Sequence, residues 1–336
     1  MATQYSYAAL ADWCRVLGKS LQAGLSWEKS LAMLVRSGPP ELRLVSEEIQ
    51  NDLKMGKSFH DSLIFRAPEL PPMLHGLVQA GEQSGRLDQV LTQLADYYSR
   101  IRDMRRRTLT RLARPGIQMV GAIFVVVVAM IVSGLMTPPE NNQVNVFGAS
   151  GIFGALLVLS LVISVILIAI GAWFILRKNA SSAALTKKLM SIPILGSVIT
   201  NRTMWNFTTA LHYSADSTMN VEEMVVLSFE STGNSYFKSF QDSCLRLVKQ
   251  GKTLQQALGK NPVFSDRFLG MLTIGETTGQ VSESMGREAR YYEEQFEESL
   301  KRLSNAIIWG VYGFSGLIII VLIFRFAMIY INAIGG

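Results

Sequence analysis

The chain has 336 residues, of which 49% are hydrophobic, and a formal net charge of +6. Its mean hydropathy of +0.25 is high for a water-soluble protein and indicates that some segments lie in a membrane. Two isolated cysteines, Cys14 and Cys244, exclude an internal disulfide framework and a cysteine-based metal site.

The first polar segment, residues 1–115, has the apolar periodicity of a cytoplasmic helical bundle. It opens without a basic stretch followed by an apolar one, so we expect no cleaved signal peptide. Within it, Gly81 and Gly85 predict a turn between two helices, because glycine accepts a positive φ and a close approach. We expect the carboxylate of Glu82 to cap the helix that follows, since negative charge is favoured at a helix N-terminus.

A basic stem closes this segment and leads into the first apolar block. It includes Arg105, Arg106 and Arg107. Basic clusters also bind nucleic acid, but beside an apolar block they are more typical of a cytoplasmic flank that contacts anionic lipid. We therefore expect membrane lipid, and no nucleic acid, as a partner. Residues 116–136 carry no charge and are long enough, as a helix, to cross a hydrocarbon core of ~30 Å.

Two further apolar blocks follow, at residues 152–176 and 307–332. The second block is uncharged, and the third is interrupted only by Arg325, whose side chain can reach the headgroups. The loop at 137–151 has no lysine or arginine, and the tail at 333–336 has no charged side chain. Because lysine and arginine collect on the cytoplasmic side, the pattern predicts three transmembrane helices, a cytoplasmic N-terminus and an external C-terminus.

The second polar segment, residues 177–306, repeats the first. Gly275, Glu276 and Gly279 stand where the earlier glycine turn stands, and Glu276 is again expected to cap the next helix. Neither segment has the alternation of a β-strand. The sequence thus predicts an all-α polytopic membrane protein with three transmembrane helices and two repeated cytoplasmic helical-bundle domains.

The stem of the second copy is acidic where the first is basic. Glu294, Glu297 and Glu298 stand near the positions that correspond to the arginine run, and residues 282–332 could form one continuous helix. Opposite charges at matching places lead to the hypothesis that the stems pair, within one chain or between chains. The alternative is that each stem contacts a different partner or lipid.

Catalytic chemistry is poorly supported. The tripeptides at 56–58 and 251–253 (Gly-Lys-Ser and Gly-Lys-Thr) resemble the end of a phosphate-binding loop, but Asn51 and Arg246 stand where the motif needs a further glycine. Helix capping explains both tripeptides better. The histidines show no metal-ligand spacing. We therefore expect no enzymatic activity, no cofactor and no metal.

One family combines these features. The pattern Gly-Glu-x-Ser/Thr-Gly-x-Leu/Val occurs twice, the pairs Tyr97-Tyr98 and Tyr291-Tyr292 follow at the same offset, and three apolar blocks accompany them. This combination resembles the inner-membrane platform proteins of type II secretion systems and type IV pilus assembly. The resemblance implies a multi-pass protein of the bacterial inner membrane, without enzymatic activity, that couples an assembly ATPase to pilin or pseudopilin polymerisation. It also implies other inner-membrane assembly components and a second copy of the chain as partners.

Two other classes have compatible topology. One is a membrane-anchored signalling or adaptor protein with two helical interaction domains, and the other is an oligomeric transporter or channel. The duplicated body and the nearly empty external face favour the platform over the adaptor. The first two apolar blocks contain no ionisable group of the kind that transport sites use.

Overall fold

The computed structural model describes residues 5–136, 182–217 and 219–334, together with six single positions between 156 and 171. The predicted loop at 137–151 and most of the predicted span at 152–176 lie outside the described residues, as does the end of the tail. All regular structure in the described part of the chain is helical, which confirms the all-α prediction.

Six helices belong to the first repeat copy. They are α1 (Tyr7–Gln22), α2 (Trp27–Ser37), α3 (Pro40–Lys54), α4 (Phe59–Arg66), α5 (Pro72–Ser84) and α6 (Leu87–Met136). The last of them is 50 residues long and contains Pro115 in its interior, so the predicted stem and the first predicted span belong to one helix.

The second copy repeats this order with two differences. An additional short helix precedes it, and the counterpart of α3 is divided into two. Its helices are α7 (Ala183–Met190), α8 (Pro193–Ala215), α9 (Val221–Ser231), α10 (Ser235–Lys238), α11 (Gln241–Lys249), α12 (Leu254–Leu258), α13 (Asp266–Thr278) and α14 (Val281–Ile334). The 54 residues of α14 form the continuous helix that the sequence allowed for residues 282–332.

Local capping chemistry accounts for several of the helix starts. At α9, Asn220 and Glu223 form a complete capping box, in which each side chain accepts the backbone N–H of the other, at 2.9 and 3.2 Å. At α4, the Ser58 hydroxyl accepts the N–H of Asp61 at 3.0 Å, and Thr253 caps α12 in the same way. Short polar side chains therefore set equivalent helix starts in both copies.

The helices fall into two compact units. One unit comprises residues 1–106 and 180–300, and the other comprises residues 107–179 and 301–336. The first unit contains buried side chains from both copies in one hydrophobic cluster. The domain boundaries predicted at residues 115, 177 and 306 remain predictions.

Among the described residues, no single helix combines the length and the apolar composition of a membrane span. The pair α7 and α8, bent by 120°, has that length and composition when the two helices are taken together. The three spans predicted from the sequence remain predictions.

Candidate functional site

The repeated glycine motif forms the same turn in both copies. Gly85 ends α5 with φ of 67°, and Gly279 ends α13 with φ of 71°. The N–H of the next residue returns to the carbonyl of Gly81 at 2.9 Å, and to that of Gly275 at 2.8 Å. This hydrogen bond is the long one of a Schellman motif, which satisfies carbonyls at the end of a helix.

The first glycine of each motif allows a close approach. A Cβ on Gly81 would lie 3.1 Å from the Cα of Leu87, and a Cβ on Gly275 would lie 3.1 Å from the Cα of Val281. The following long helix therefore starts directly against the helix that the turn has ended. Both glycines of each motif are therefore explained by backbone geometry, one by close helix packing and the other by its positive φ.

The glutamates of the motif cap a different helix from the one predicted. The two carboxylate oxygens of Glu82 accept the backbone N–H groups of Phe59 and His60, both at 2.8 Å. In the second copy, Glu276 accepts the first two N–H groups of α12, at 2.6 and 3.0 Å. The prediction that each glutamate caps the following helix is wrong, because the tertiary fold brings it to α4 or α12, which precede it in the chain.

This double cap also explains the tripeptides that resemble a phosphate-binding loop. The N-terminal amides of α4, which a phosphate would contact in such a loop, are taken by the Glu82 carboxylate and the Ser58 hydroxyl. Glu276 and Thr253 take the corresponding amides of α12. In each copy, the glutamate carboxylate therefore occupies the place at the helix N-terminus that a phosphate would need.

Sequence reasoning missed one buried charge in the first copy. The Asp52 carboxylate is buried and receives hydrogen bonds from Arg66, at 2.8 and 2.9 Å, and from Lys57, at 2.9 Å. The two hydrogen bonds from Arg66, followed by the one from Lys57, hold the pKa of this carboxyl well below its usual range. The signal was an acid on the apolar face of α3, three residues after Ile49. The corresponding position of the second copy is Leu247, so the network is specific to the first copy.

The two copies meet through an aromatic and a polar contact. The phenolic O–H of Tyr97, on α6, donates to the side-chain oxygen of Asn206, on α8, at 2.8 Å. Its ring lies 5.3 Å from that of Trp205, measured between centroids. Burial raises the pKa of Tyr97, which keeps the phenol protonated as a donor. The first tyrosine of the repeated pair therefore joins the copies.

Helix α5 extends this contact. It packs against α8 and α9 of the second copy. A Cβ on Gly76 would collide with the side chain of Leu227, so the glycine admits that leucine. One ion pair lies in the same region, between the guanidinium of Arg100 and the carboxylate of Glu293, at 2.7 Å. We define these contacts together as the repeat interface.

The structure places the predicted stem residues further along α6 and α14 than this ion pair. Arg105, Arg106 and Arg107 are exposed, and the guanidinium of Arg105 lies 4.3 Å from the ring centroid of Tyr7. On α14 the acidic residues are exposed or half-buried, namely Glu294, Glu297 and Glu298. Arg100 and Glu293, which form an ion pair, each lie close to the tyrosine pair of their own helix.

Comparisons with known proteins match most of the chain. The sequence model of type II secretion system protein F matches residues 13–133 and 207–329, one stretch on each repeat copy. The type IV pilus assembly protein PilC of Thermus thermophilus is 24% identical over 312 residues, which cover 89% of this chain and 76% of that protein. Type II secretion system protein F of Vibrio cholerae is 24% identical, with 87% of this chain and 74% of that protein covered.

A third relative is the protein transport protein HofC homolog of Escherichia coli, 24% identical over 84% of this chain and 73% of its own length. The matched stretches of the family model include both glycine turns and both tyrosine pairs. The chain belongs to the type II secretion system protein F family.

Proposed function

We propose that the chain is a non-enzymatic platform of the bacterial inner membrane that couples a cytoplasmic assembly ATPase to pilin or pseudopilin polymerisation. Membership in the protein F family and the names of the pilus assembly and secretion relatives support this function. The ATPase, the pilins or pseudopilins and other inner-membrane assembly components are the partners that the proposal requires.

The proposal includes a topology. The blocks at 116–136, 152–176 and 307–332 cross the membrane, the repeat copies lie in the cytoplasm, and the C-terminus is external. The distribution of lysine and arginine supports this orientation. Reporter fusions after residue 145 and after residue 336 should both report an external location, and a fusion after residue 250 should report a cytoplasmic one.

The observation that carries the mechanical part is the repeat interface. A platform that transmits motion needs a body that does not yield between the motor and the membrane. Tyr97 and Asn206 tie the two copies together through a buried hydrogen bond, and α6 and α14 each leave their glycine turn as one continuous helix. A continuous helix is a suitable strut, because its backbone hydrogen bonds run along its axis.

The stems carry a second part of the proposal. The cluster of Arg105, Arg106 and Arg107 and the cluster of Glu294, Glu297 and Glu298 pair with each other, within one chain or between copies in a homo-oligomer. The ion pair between Arg100 and Glu293 supports pairing within the chain. Exposed ion pairs contribute only about 0–1 kcal/mol each, so the gain is choice of partner and register.

The function is tested with the full-length chain in its native membrane. A tagged chain is cross-linked in cells and purified in detergent, and the co-purified assembly ATPase and pilin are measured by immunoblot. We expect both to co-purify, and deletion of the gene to abolish fibre assembly or secretion. Replacement of Asn206 by leucine should weaken the repeat interface and reduce fibre assembly while the chain remains in the membrane.

Two results would contradict the platform function. One is a folded, abundant chain that binds neither the ATPase nor a pilin. The other is normal fibre assembly and secretion after the gene is deleted, which is the result expected of a signalling adaptor.

A further inference from the structure

The repeat interface uses different surfaces of the two copies. Beside the contacts that α6 makes with α8 and α14, the first copy contributes α5, and the second copy contributes α8 and α9. By the repeat, the counterpart of α5 is α13, and the counterparts of α8 and α9 are α1 and α2. Each copy therefore also carries the type of surface that its partner copy uses in the interface.

The counterpart of the α5 surface is exposed. Gly76 and Ala80 of α5 correspond to Gly270 and Ile274 of α13. Ala80 is 1% exposed, whereas Ile274 is 51% exposed. A Cβ on Gly270 would meet no atom of the described chain within 4 Å, whereas one on Gly76 would collide with Leu227. The helix surface that is covered in the first copy is thus uncovered in the second.

The counterpart of the α9 surface is exposed as well. Leu227, the residue that packs on Gly76, is 5% exposed, and its equivalent Met33 on α2 is 46% exposed. Asn206, which accepts the hydrogen bond from Tyr97, corresponds to Asp12 on α1, whose side chain is also solvent-accessible. Both halves of a second interface of the same type are therefore present.

These two surfaces are not joined to each other. Within the described residues, α13 packs against neither α1 nor α2 to an extent comparable with α5 on α9. A twofold relation between the copies would have buried both pairs of surfaces together. The part of the repeat interface that α5, α8 and α9 form is therefore heterologous, and a heterologous interface leaves one complementary surface at each end.

We propose that the exposed α13 surface of one chain, around Gly270 and Ile274, docks on the α1–α2 surface, around Met33, of a second copy of this chain. The contact repeats between chains the one that α5 makes with α9 within a chain, and it joins the chains head to tail. The Met33 side chain packs on Gly270 as Leu227 packs on Gly76. The Asp12 carboxylate accepts a hydrogen bond from the Tyr291 hydroxyl, as the Asn206 side chain accepts one from Tyr97. This proposal deepens the homo-oligomer part of the proposed function and does not depend on the coupling to an ATPase.

Head-to-tail docking predicts which pair of introduced cysteines, one on each chain, should form a disulfide between two chains. Two full-length chains with different tags are expressed together, one with Met33→Cys and the other with Ile274→Cys, and membranes are oxidised briefly. The native Cys14 and Cys244 are buried and form the wild-type background. We expect a disulfide-linked dimer that contains both tags, at least tenfold above the yield from either single variant expressed alone.

Two controls accompany this measurement. Leu44→Cys, at an exposed position on α3, replaces Met33→Cys and should give no dimer above background. Gly270→Leu fills open space, so it should leave thermal unfolding unchanged but reduce the mixed dimer several-fold. Glu47→Leu, on the exposed side of α3, should leave both readouts unchanged.

The absence of the mixed dimer would overturn the proposal. An equal yield from Met33→Cys chains alone would also overturn it, because that result indicates a symmetric interface. Failure of the proposed function has a different signature, namely a mixed dimer that forms normally while the chain binds neither the ATPase nor a pilin.

Discussion

At the scale of single residues, Glu82 and Glu276 illustrate how one carboxylate can fix two parts of the backbone. Each side chain starts in the last turn of one helix and accepts two N–H groups at the start of another. Such bonds involve an ionised acceptor and are stronger than neutral ones. The carboxylate also lies at the positive end of the helix dipole, which adds a favourable electrostatic contribution.

Replacing either glutamate by glutamine should destabilise the fold. Glutamine retains the size of the side chain, but its amide has only one oxygen, so one backbone N–H loses its acceptor and the charge is removed. We expect a loss of about 1.5–3 kcal/mol for Glu82→Gln or Glu276→Gln. Thermal unfolding of the purified full-length chain measures it, and Gln83→Ala, at an exposed neighbour, is the control. Equal stability of all three variants would contradict the assigned cap.

A second residue-scale feature is a helix crossing that occurs in both copies and has its glycine on a different helix in each. Where α1 crosses α6, Gly18 faces Thr92, and a Cβ on Gly18 would lie 2.8 Å from the Thr92 hydroxyl and 2.9 Å from its backbone nitrogen. At the equivalent crossing of α8 and α14, the larger residue is His212 and the glycine is Gly286. Each crossing therefore contains one glycine, on the first helix in the first copy and on the long helix in the second copy.

This difference predicts unequal costs of the same substitution. Gly18→Ala presses on backbone atoms that cannot move aside, so we expect a loss of about 1–3 kcal/mol in the free energy of unfolding. Gly286→Ala meets mainly the ring of His212, at 3.0 Å, which can shift at a smaller cost. Denaturant unfolding of the two variants gives the ranking. A larger loss for Gly286→Ala than for Gly18→Ala would show that the crossings are not packed as described.

At the scale of elements, the two longest helices share a design. Each begins after a glycine turn, carries a tyrosine pair and then a charged stem. Arg100 on α6 and Glu293 on α14 form an ion pair that is half exposed on the arginine side and largely buried on the glutamate side. Partial burial makes the glutamate the more sensitive partner, because an uncompensated charge there is poorly solvated.

A charge-reversal cycle tests this pair. Arg100→Glu and Glu293→Arg should each destabilise the chain, by roughly 1 kcal/mol or less because the arginine is solvated, and the double variant should recover most of the loss. The readout is thermal unfolding at low and high salt, since screening should shrink the coupling. If the effects of the two single variants are strictly additive in the double variant, Arg100 and Glu293 do not interact and the ion pair does not contribute to the repeat interface.

What the sequence could predict at this scale depends on how many positions separate the interacting residues along the chain. The glycine turns at Gly85 and Gly279 and the cap at Asn220 are local, because the residues that form them lie within a few positions of each other. The partner of Glu82 lies 23 positions earlier, and that of Tyr97 lies 109 positions later, so neither follows from periodicity. Both copies have nearly the same apolar pattern, and that pattern does not specify which helix of one copy meets which helix of the other.

At the scale of the whole molecule, the two repeat copies share one compact unit although they are far apart in the sequence. Their interface buries aromatic side chains, a hydrogen bond between Tyr97 and Asn206, and the close contact of Gly76 with Leu227. A copy expressed alone would expose these groups to water. The sequence pattern of two bundles therefore does not imply two bodies of independent stability.

A comparison of fragments tests this dependence. Residues 5–106 and residues 182–300 are expressed separately, and also joined by a long flexible linker in place of residues 107–181. We expect the joined protein to unfold in one transition, at least about 5 °C above either fragment, because each kilocalorie of interface stability raises the Tm of a domain of this size by about 2–4 °C. Asn206→Leu in the joined protein should remove part of that gain, since it leaves the buried phenol of Tyr97 without its acceptor. Fragments as stable as the joined protein would mean that the copies fold independently and that the repeat interface adds no stability.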